Sequence, residues 1–128
     1  MSVPEATAVV IGARHGSGQA RICFDLARGV VDVARTLRGA SGTGSAPLHA
    51  DDRALAEEAA RRLTPGHQDR VREDWSAWFT EFVEVTRADG STLRIVNERG
   101  SLDLEETSEL VGRAQELAAQ LVPLPADG

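Results

Sequence analysis

Hydrophobic and polar residues alternate with different periods along the chain, and these periods predict its elements of secondary structure. The β-branched run Thr7–Gly12 predicts a mostly buried strand, and the glycine-rich segment 12–18 predicts a loop. In residues 19–38 polar side chains recur at steps of four and three, as they do on one face of a helix. We therefore predict a helix at least through Ala27. Gly29 and the nearby valines leave two alternatives, a helix followed by a strand or a β-meander.

The centre of the chain predicts two helices that are separated by a proline. The first helix covers residues 51–63, and Asp51 or Asp52 is its expected N-cap. The pair Thr64–Pro65 has the form of an N-cap followed by a proline at the first helical position. We therefore expect a second helix to begin here and to end near Thr80.

An aromatic stripe on this second helix is the expected hub of the core. Its residues fall at steps of four, three, one and three, which places them on one helix face. At about 25 cal/mol per Å² of buried surface, the four aromatic side chains contribute roughly 15–25 kcal/mol gross, so most of the stripe must leave water. The stripe consists of Val71, Trp75, Trp78, Phe79 and Phe82.

Residues 82–96 predict an antiparallel hairpin. A three-residue loop, Ala88–Gly90, places Val83 opposite Ile95 on one face and Glu84 opposite Arg94 on the other. A two-residue loop would instead place Glu84 opposite Ile95, so the pairing chemistry favours the longer loop.

Three further segments complete the expected layout. The spacing of Asp103 and Glu106 has the form of a capping box, and it opens a final amphipathic helix over residues 104–122. Residues 124–128 are expected to fray. The small residues of 39–47 predict a flexible glycine/serine loop or linker.

These elements together predict an α+β fold in a single small domain, residues 1–128. Its expected order is an N-terminal strand, glycine loop and helix, then two central helices, an antiparallel hairpin, and a C-terminal helix packed on the sheet. A chain of 128 residues is long enough for one such core.

Composition limits the compartments and the classes of partner that we expect for the protein. The formal net charge of −6 argues against nucleic acid as a partner, because affinity for nucleic acid comes mainly from neutralised phosphates. The absence of a long apolar run argues against a membrane span. A single cysteine and an N-terminus unlike a signal peptide favour the cytoplasm. All 14 positive side chains are arginine, which indicates a GC-rich bacterial genome.

The glycine loop is the strongest local signal for chemistry. With the run Leu26–Val31, the predicted strand, loop and helix resemble the start of a short-chain dehydrogenase/reductase. In that family a glycine-rich turn holds the cofactor pyrophosphate at a helix N-terminus, which implies an anion or nucleotide site here. The family's catalytic tyrosine and lysine do not occur in this sequence, and 128 residues are too few for its sheet, so a dehydrogenase is excluded. The candidate ligand-binding residues that remain are Gly12, Arg14, Gly16, Ser17 and Gly18.

The sequence contains no recognisable catalytic or metal-binding constellation. Its three histidines lie far apart, and its adjacent acidic pairs would point about 100° apart on a helix. Cys23 lies between apolar neighbours, as a buried and inert thiol does. We therefore expect no enzymatic activity, no metal and no cofactor.

The leading hypothesis is a non-enzymatic interaction or regulatory domain that acts by protein–protein contact or self-association. The candidate surfaces are the hairpin edge, Trp75 with Trp78, and the acidic last helix, which carries Glu109. The alternative hypothesis is a small-molecule, anion or nucleotide-binding domain that uses the loop 12–18.

Overall fold

An antiparallel sheet dominates the fold. A computed structural model of the protein describes residues 4–74 and 79–124. The strands are β1 (Ala6–His15), β2 (Gly18–Asp25), β3 (Val30–Leu37), β4 (Ala40–Pro47), β5 (Phe79–Arg87) and β6 (Thr92–Asn97). The helices are α1 (Ala50–Arg62), a 3₁₀ helix (Pro65–Arg70) and α2 (Ser108–Leu121). The six strands lie in the order β4-β3-β2-β1-β5-β6, so the chain is α+β and mostly sheet, but the predicted arrangement of elements is wrong.

The core lies between one face of the sheet and the helices α1 and α2. Successive side chains of a strand point to opposite faces, and the alternate apolar residues of β1, β2, β3 and β5 share the covered face. Val9, for example, lies between Phe24 of β2 and Val85 of β5. We call the helix-covered side the inner face and the other side the open face.

The helix predicted for residues 19–38 is wrong, because these residues form β2 and β3, as in the β-meander alternative. Ile22 and Phe24 of β2 pair with Val33 and Val31 of β3. All four side chains are buried on the inner face. A period of two therefore buries these apolar residues together, and β1 supplies the neighbouring strand that this period requires.

The flexible loop predicted for residues 39–47 is also wrong. Residues 40–47 form β4, which pairs with β3 along its whole length from the Leu37–Ala40 pair onwards. A two-residue turn joins the strands, and Arg38 and Gly39 have φ values of +50° and +83°. Positive φ at both positions is the form of a type I′ turn, whose twist matches that of a hairpin.

Among the described residues of the second central helix, only its start is helical. Thr64 is the N-cap and Pro65 the first residue, but the element is a 3₁₀ helix that ends at Arg70. Residues 71–74 have no regular structure, and Phe79 begins β5. The prediction of an aromatic helix is therefore wrong for the residues that the structure describes.

The described members of the predicted aromatic stripe do not form the centre of the core. Trp75 and Trp78 lie outside the described residues. Phe79 and Phe82 belong to β5 and are only half-buried. Among the described aromatic residues, Phe24 is the one that is fully buried, and it came from a segment that we predicted as helix.

The register of the C-terminal hairpin is confirmed. Val83 pairs with Ile95 and Val85 with Leu93, as the three-residue loop requires. Gly90 has a φ of +86°, which is the conformation for which the loop needs glycine. The hairpin joins the sheet through β5, which lies beside β1.

The helix α1 covers the predicted range, but neither Asp51 nor Asp52 caps it. His49 occupies the N-cap position, and both aspartates lie in the first turn. Asp52 is buried, and its two carboxylate oxygens accept hydrogen bonds from Arg113 of α2 at 2.8 and 3.3 Å. Asp52 therefore ties the two helices together instead of capping one.

The final helix begins later than predicted. It starts at Ser108 with Thr107 as its N-cap, so the capping box expected from Asp103 and Glu106 is not formed. Its apolar face packs on the core as predicted. Of the tail that we expected to fray, residues 125–128 lie outside the described part of the chain.

Candidate interaction surfaces

The predicted glycine site becomes part of a hairpin. Gly12 and Arg14 lie in β1, Gly16 and Ser17 form a two-residue turn, and Gly18 begins β2. The structure therefore brings these residues to one end of the sheet, but a strand follows the loop where the anion site required a helix. This turn therefore does not present the unpaired N–H groups of a helix N-terminus, which would bind the anion.

A shallow cleft with an arginine-rich wall lies on the open face above this hairpin. It encloses about 400 Å³ and its lining includes Arg14, Arg21, Arg94, Phe82 and Thr80. Strand pairing explains this set: Gly12 stands between Arg21 of β2 and Phe82 of β5, and Phe82 is in turn adjacent to β6. Of these arginines only Arg14 was a candidate from the sequence, because strand pairing is what brings Arg21 and Arg94 beside it.

The phenyl ring of Phe82 forms part of this cleft. A Cβ atom at Gly12 would lie 2.1 Å from Phe82 Cε1, so the ring lies directly against the glycine. On its other side, the Arg94 guanidinium carbon lies 4.1 Å from the ring centroid, within the range of a cation–π contact. Arg94 also approaches Glu84 at 3.4 Å. Arg14 and Arg21 have no ion pair among the described residues.

The second candidate surface is the free edge of β4. Leu37 and Ala40 flank the two-residue turn, so they form a hydrogen-bonded pair, and the pairs alternate from there. The even-numbered residues of β4 therefore bond to β3, as Leu48 continues to do with its N–H donated to the Gly29 carbonyl at 2.9 Å. The backbone groups of the other residues point away from the sheet. These outward residues are Ser41, Thr43, Ser45 and Pro47, of which Pro47 has no N–H.

Over residues 40–46 this edge lacks the usual protection of an edge strand. Natural sheets blunt their edges with charged side chains, prolines, bulges or covering segments. Residues 40–46 contain no charge and no proline, and their pairing to β3 has no bulge. In the described chain, no backbone hydrogen bond reaches the outward groups of β4.

The opposite edge, formed by the predicted hairpin, is partly covered. The side-chain amide of Gln68, in the 3₁₀ helix, donates to the Val96 carbonyl at 2.8 Å and accepts from the Val96 N–H at 2.9 Å. The Gln68 side chain thus takes the place of a neighbouring strand on β6. The hairpin edge is therefore a poorer docking site than β4.

Close packing of α2 explains the glycines of β4. A Cβ atom at Gly44 would lie 2.5 Å from the Leu121 carbonyl oxygen, and one at Gly42 would lie 2.9 Å from the Val122 side chain. Arg35 of β3 also donates to the Val122 carbonyl at 3.0 Å. The glycines that we read as a linker are the residues that let the end of α2 rest on β4.

A cluster of polar residues joins the 3₁₀ helix to the segment before α2. His67 Nδ1 accepts the Thr64 N–H at 3.0 Å, and Nε2 lies 3.3 Å from the Glu106 carboxylate, which also approaches Arg70 at 3.3 Å. Burial raises the pKa of Glu106, but its own backbone amide, Arg70 and His67 together lower that pKa below its ordinary value. The Thr64 hydroxyl also lies 3.0 Å from Nδ1, but the lone pair of Nδ1 already accepts the backbone N–H of Thr64. The His67 ring therefore has a structural role, in which it connects the 3₁₀ helix to the segment before α2.

Two more buried polar residues organise the loop after β6. Glu81 accepts the Leu102 N–H at 2.8 Å, and burial raises its pKa above the ordinary value. Asn97, its partner across the strands, donates to the carbonyls of Arg72 and Ser101 at 3.0 and 2.7 Å. Neither residue was a candidate from the sequence, although their polar side chains interrupt otherwise apolar strand faces.

A wide groove separates α1 from the β5–β6 hairpin. It encloses about 1340 Å³, and its apolar lining includes Leu55, Leu63 and Leu93. Arg87 lies at its edge and donates to the carbonyls of Ala60 and Pro4. The groove is open, and no described segment covers it.

The remaining candidate residues add no further site within the described part of the chain. Trp75 and Trp78 lie outside the described residues, and Glu109 is exposed in the first turn of α2. Cys23 is half-buried, and burial raises the pKa of its thiol. Within residues 4–74 and 79–124, no group of three histidine, cysteine or acidic side chains could hold a metal ion, and no helix is long and apolar enough to cross a membrane.

Comparisons of the chain with protein-family models, with curated proteins and with solved structures found no match.

Proposed function

We propose that the protein is a non-enzymatic interaction domain that binds another polypeptide by strand addition at the free edge of β4. The observation that carries this proposal is the row of outward backbone groups at Ser41, Thr43 and Ser45, on a strand without charge. In strand addition, main-chain hydrogen bonds supply affinity and the flanking side chains supply specificity.

The magnitudes are compatible with a reversible contact. Each net backbone hydrogen bond contributes about 0.5–1.5 kcal/mol, so an added strand that pairs with all outward groups gains several kcal/mol before ordering costs. The exposed hydroxyls of Ser41 and Thr43 add cross-strand partners on the open face, whereas the Ser45 hydroxyl already donates to Asp32 at 2.5 Å. A contact of this kind suits a regulatory domain that must release its partner.

The buried titratable groups support a non-enzymatic role. Asp52 is engaged with Arg113, Glu106 with His67 and Arg70. Each of these groups holds two elements of the fold together.

The test compares two substitutions at the same position. Thr43→Pro removes the outward N–H but leaves the bonds to β3 in place, because proline is tolerated where the N–H of an edge strand faces solvent. Thr43→Val keeps the N–H and serves as the matched control. We expect partner capture with tagged protein to fall at least about tenfold for Thr43→Pro, equivalent to 1.4 kcal/mol, and to persist for Thr43→Val. Equal capture by the two variants would refute strand addition at β4.

The arginine-rich cleft favours a second candidate function, the binding of a small anionic ligand. Arg14, Arg21 and Arg94 could neutralise a phosphate or carboxylate, and the ring of Phe82 offers an apolar surface to the rest of the ligand. This is the nucleotide or anion alternative relocated from the glycine loop to the open face of the sheet.

Thermal-shift titration with phosphate, pyrophosphate and nucleotides tests this candidate. A ligand at 100 times its Kd stabilises the folded state by about 2.7 kcal/mol, so a specific site gives a clear shift. The double variant Arg14→Gln/Arg21→Gln should lose that shift. Arg28→Gln, which removes an exposed arginine paired with Asp25 and Asp32, should retain it. A shift that is lost equally in both variants would show nonspecific attraction to positive charge.

A further inference from the structure

The sequence of β4 reads the same in both directions. Residues 40–46 are A-S-G-T-G-S-A, with Thr43 at the centre. An antiparallel pair of identical strands related by a two-fold axis places residue i opposite its mirror position about the axis. A palindrome is the sequence for which every such pair is a pair of identical or matched residues.

From this symmetry we infer that β4 pairs with β4 of a second copy of the chain, with the two-fold axis at Thr43. The inference rests on the proposed function of the β4 edge and names its partner. Thr43 then faces Thr43, Ser41 faces Ser45, and each glycine faces a glycine. The two six-stranded sheets become one continuous sheet.

The hydrogen-bonding phase of β4 agrees with this register. The outward backbone groups belong to Ser41, Thr43 and Ser45, which are the residues that the register makes into hydrogen-bonded pairs. About six backbone hydrogen bonds can form across the seam. A shift of one residue would place outward groups opposite inward ones and mismatch the two faces, so the phase selects this register over its neighbours.

The ends of the strand limit the pairing. Pro47, which continues the outward series, has no N–H to donate, and the turn at Arg38 and Gly39 ends the strand on the other side. The palindrome therefore fills the stretch that is able to pair.

Charge does not oppose the association at the seam. Each copy carries a net charge of −6, so two copies repel at long range, but residues 40–46 contribute none of that charge. An acidic side chain at these positions would have placed like charges directly opposite each other across the two-fold axis.

The end of α2 adds apolar contact on the inner face. A two-fold axis perpendicular to the sheet keeps both sets of helices on the same side. Leu121 lies over Gly44 and Leu124 over Gly42, and Gly44 of one copy faces Gly42 of the other. Leu121 of one copy therefore approaches Leu124 of the second copy, and both side chains are only half-buried in the single chain.

Cysteine cross-linking tests the register in the full chain carrying Cys23→Ala. In a hydrogen-bonded antiparallel pair the Cα atoms lie about 5.5 Å apart, within the range of a disulfide, so Thr43→Cys should form a covalent dimer on mild oxidation. Ser41→Cys is the matched control on the same exposed face. Its two copies would lie four residues apart along the seam, about 13 Å, and should not cross-link.

Mass measurement by light scattering or sedimentation over a range of concentrations completes the test. We expect a dimer for wild type and Thr43→Val, and at least a tenfold weaker dimer for Thr43→Pro. Cross-linking of both cysteine variants, or of Ser41→Cys alone, would overturn the register. A wild-type monomer at all concentrations with no Thr43→Cys cross-link would overturn self-pairing. In that case, partner capture that depends on the Thr43 N–H would still support the proposed function, and capture unaffected by Thr43→Pro would refute both.

Discussion

Adding one methyl group at Gly44 should destabilise the protein, because the end of α2 rests directly on β4. The added Cβ would lie 2.5 Å from the Leu121 carbonyl oxygen and 3.2 Å from the Leu121 carbonyl carbon. Both are backbone atoms, so no side-chain rotation can relieve the contact. The end of α2 must lift away from the sheet or the strand must bend.

The size of the effect follows from two opposing terms. Over-packing by one methyl group costs about 1–3 kcal/mol. Replacing glycine by alanine also reduces the freedom of the unfolded chain, which stabilises by about 0.4–1 kcal/mol. We therefore expect Gly44→Ala to lower the free energy of unfolding by about 1–2 kcal/mol.

Gly112 is the matched control because it undergoes the same chemical change in the other element of the contact. It lies within α2, it is exposed, and a Cβ there would meet no atom within 4 Å. Glycine within a helix costs about 0.5–1 kcal/mol relative to alanine, so Gly112→Ala should stabilise by about that amount. The two variants are expected to shift stability in opposite directions.

Urea unfolding followed by circular dichroism measures both variants. Measurements at two protein concentrations separate folding stability from association, since a dimer makes apparent stability depend on concentration. If Gly44→Ala is as stable as wild type while Gly112→Ala behaves as expected, α2 and β4 are not in close contact at Gly44. Our explanation of the glycines in β4 would then be refuted.

Three further changes probe other parts of the fold. Arg113→Met leaves Asp52 buried without its cation and should lower the free energy of unfolding in urea by about 2–4 kcal/mol. The double variant Asp52→Leu/Arg113→Met should recover most of that loss. Equal losses in the single and double variants would contradict this. Because burial raises the pKa of Glu81 above 4.5, its contribution to stability is present below pH 4.5 and is lost as pH rises through the folded-state pKa. Glu81→Gln should therefore gain stability relative to wild type between pH 4 and pH 7, and a difference independent of pH would refute the assignment. Gly90→Ala, at a φ of +86°, should cost about 1 kcal/mol and leave the remaining strands intact by amide exchange; an unchanged midpoint in urea would argue against this loop conformation.

Local patterns predicted the elements whose partners are close in sequence. The hairpin of β5 and β6 was predicted to the register, because its alternation and its three-residue loop Ala88–Gly90 lie within one short stretch. The first strand and the extent of α1 were predicted for the same reason. Among the arginines that line the cleft, the local sequence pattern indicated Arg14 but not Arg21 or Arg94, because the pairing of the strands is what places these two beside Arg14.

The errors occurred where the same local pattern satisfies two structures. The charges at Asp25, Arg28 and Asp32 fit one helix face, but Arg28 in the turn between β2 and β3 also reaches Asp25 at 3.5 Å and Asp32 at 3.6 Å. The charge spacing alone therefore does not distinguish a helix from two strands joined by a turn. The segment forms strands because β1 lies beside it and because helices cover its buried face.

Sequence alone determined the composition of β4, its palindrome and its lack of charge, and these properties resemble those of a linker. Tertiary structure decided that the segment is a strand, because β3 pairs with it, and that its glycines are needed, because α2 comes within contact distance. It also decided that this strand is the last in the sheet, and position at an edge is what leaves backbone groups available to a partner. Hydrogen-bonding partners distant in the chain cannot be read from a segment's own residues, so residues 39–47 predicted a flexible loop and not a strand at the sheet edge.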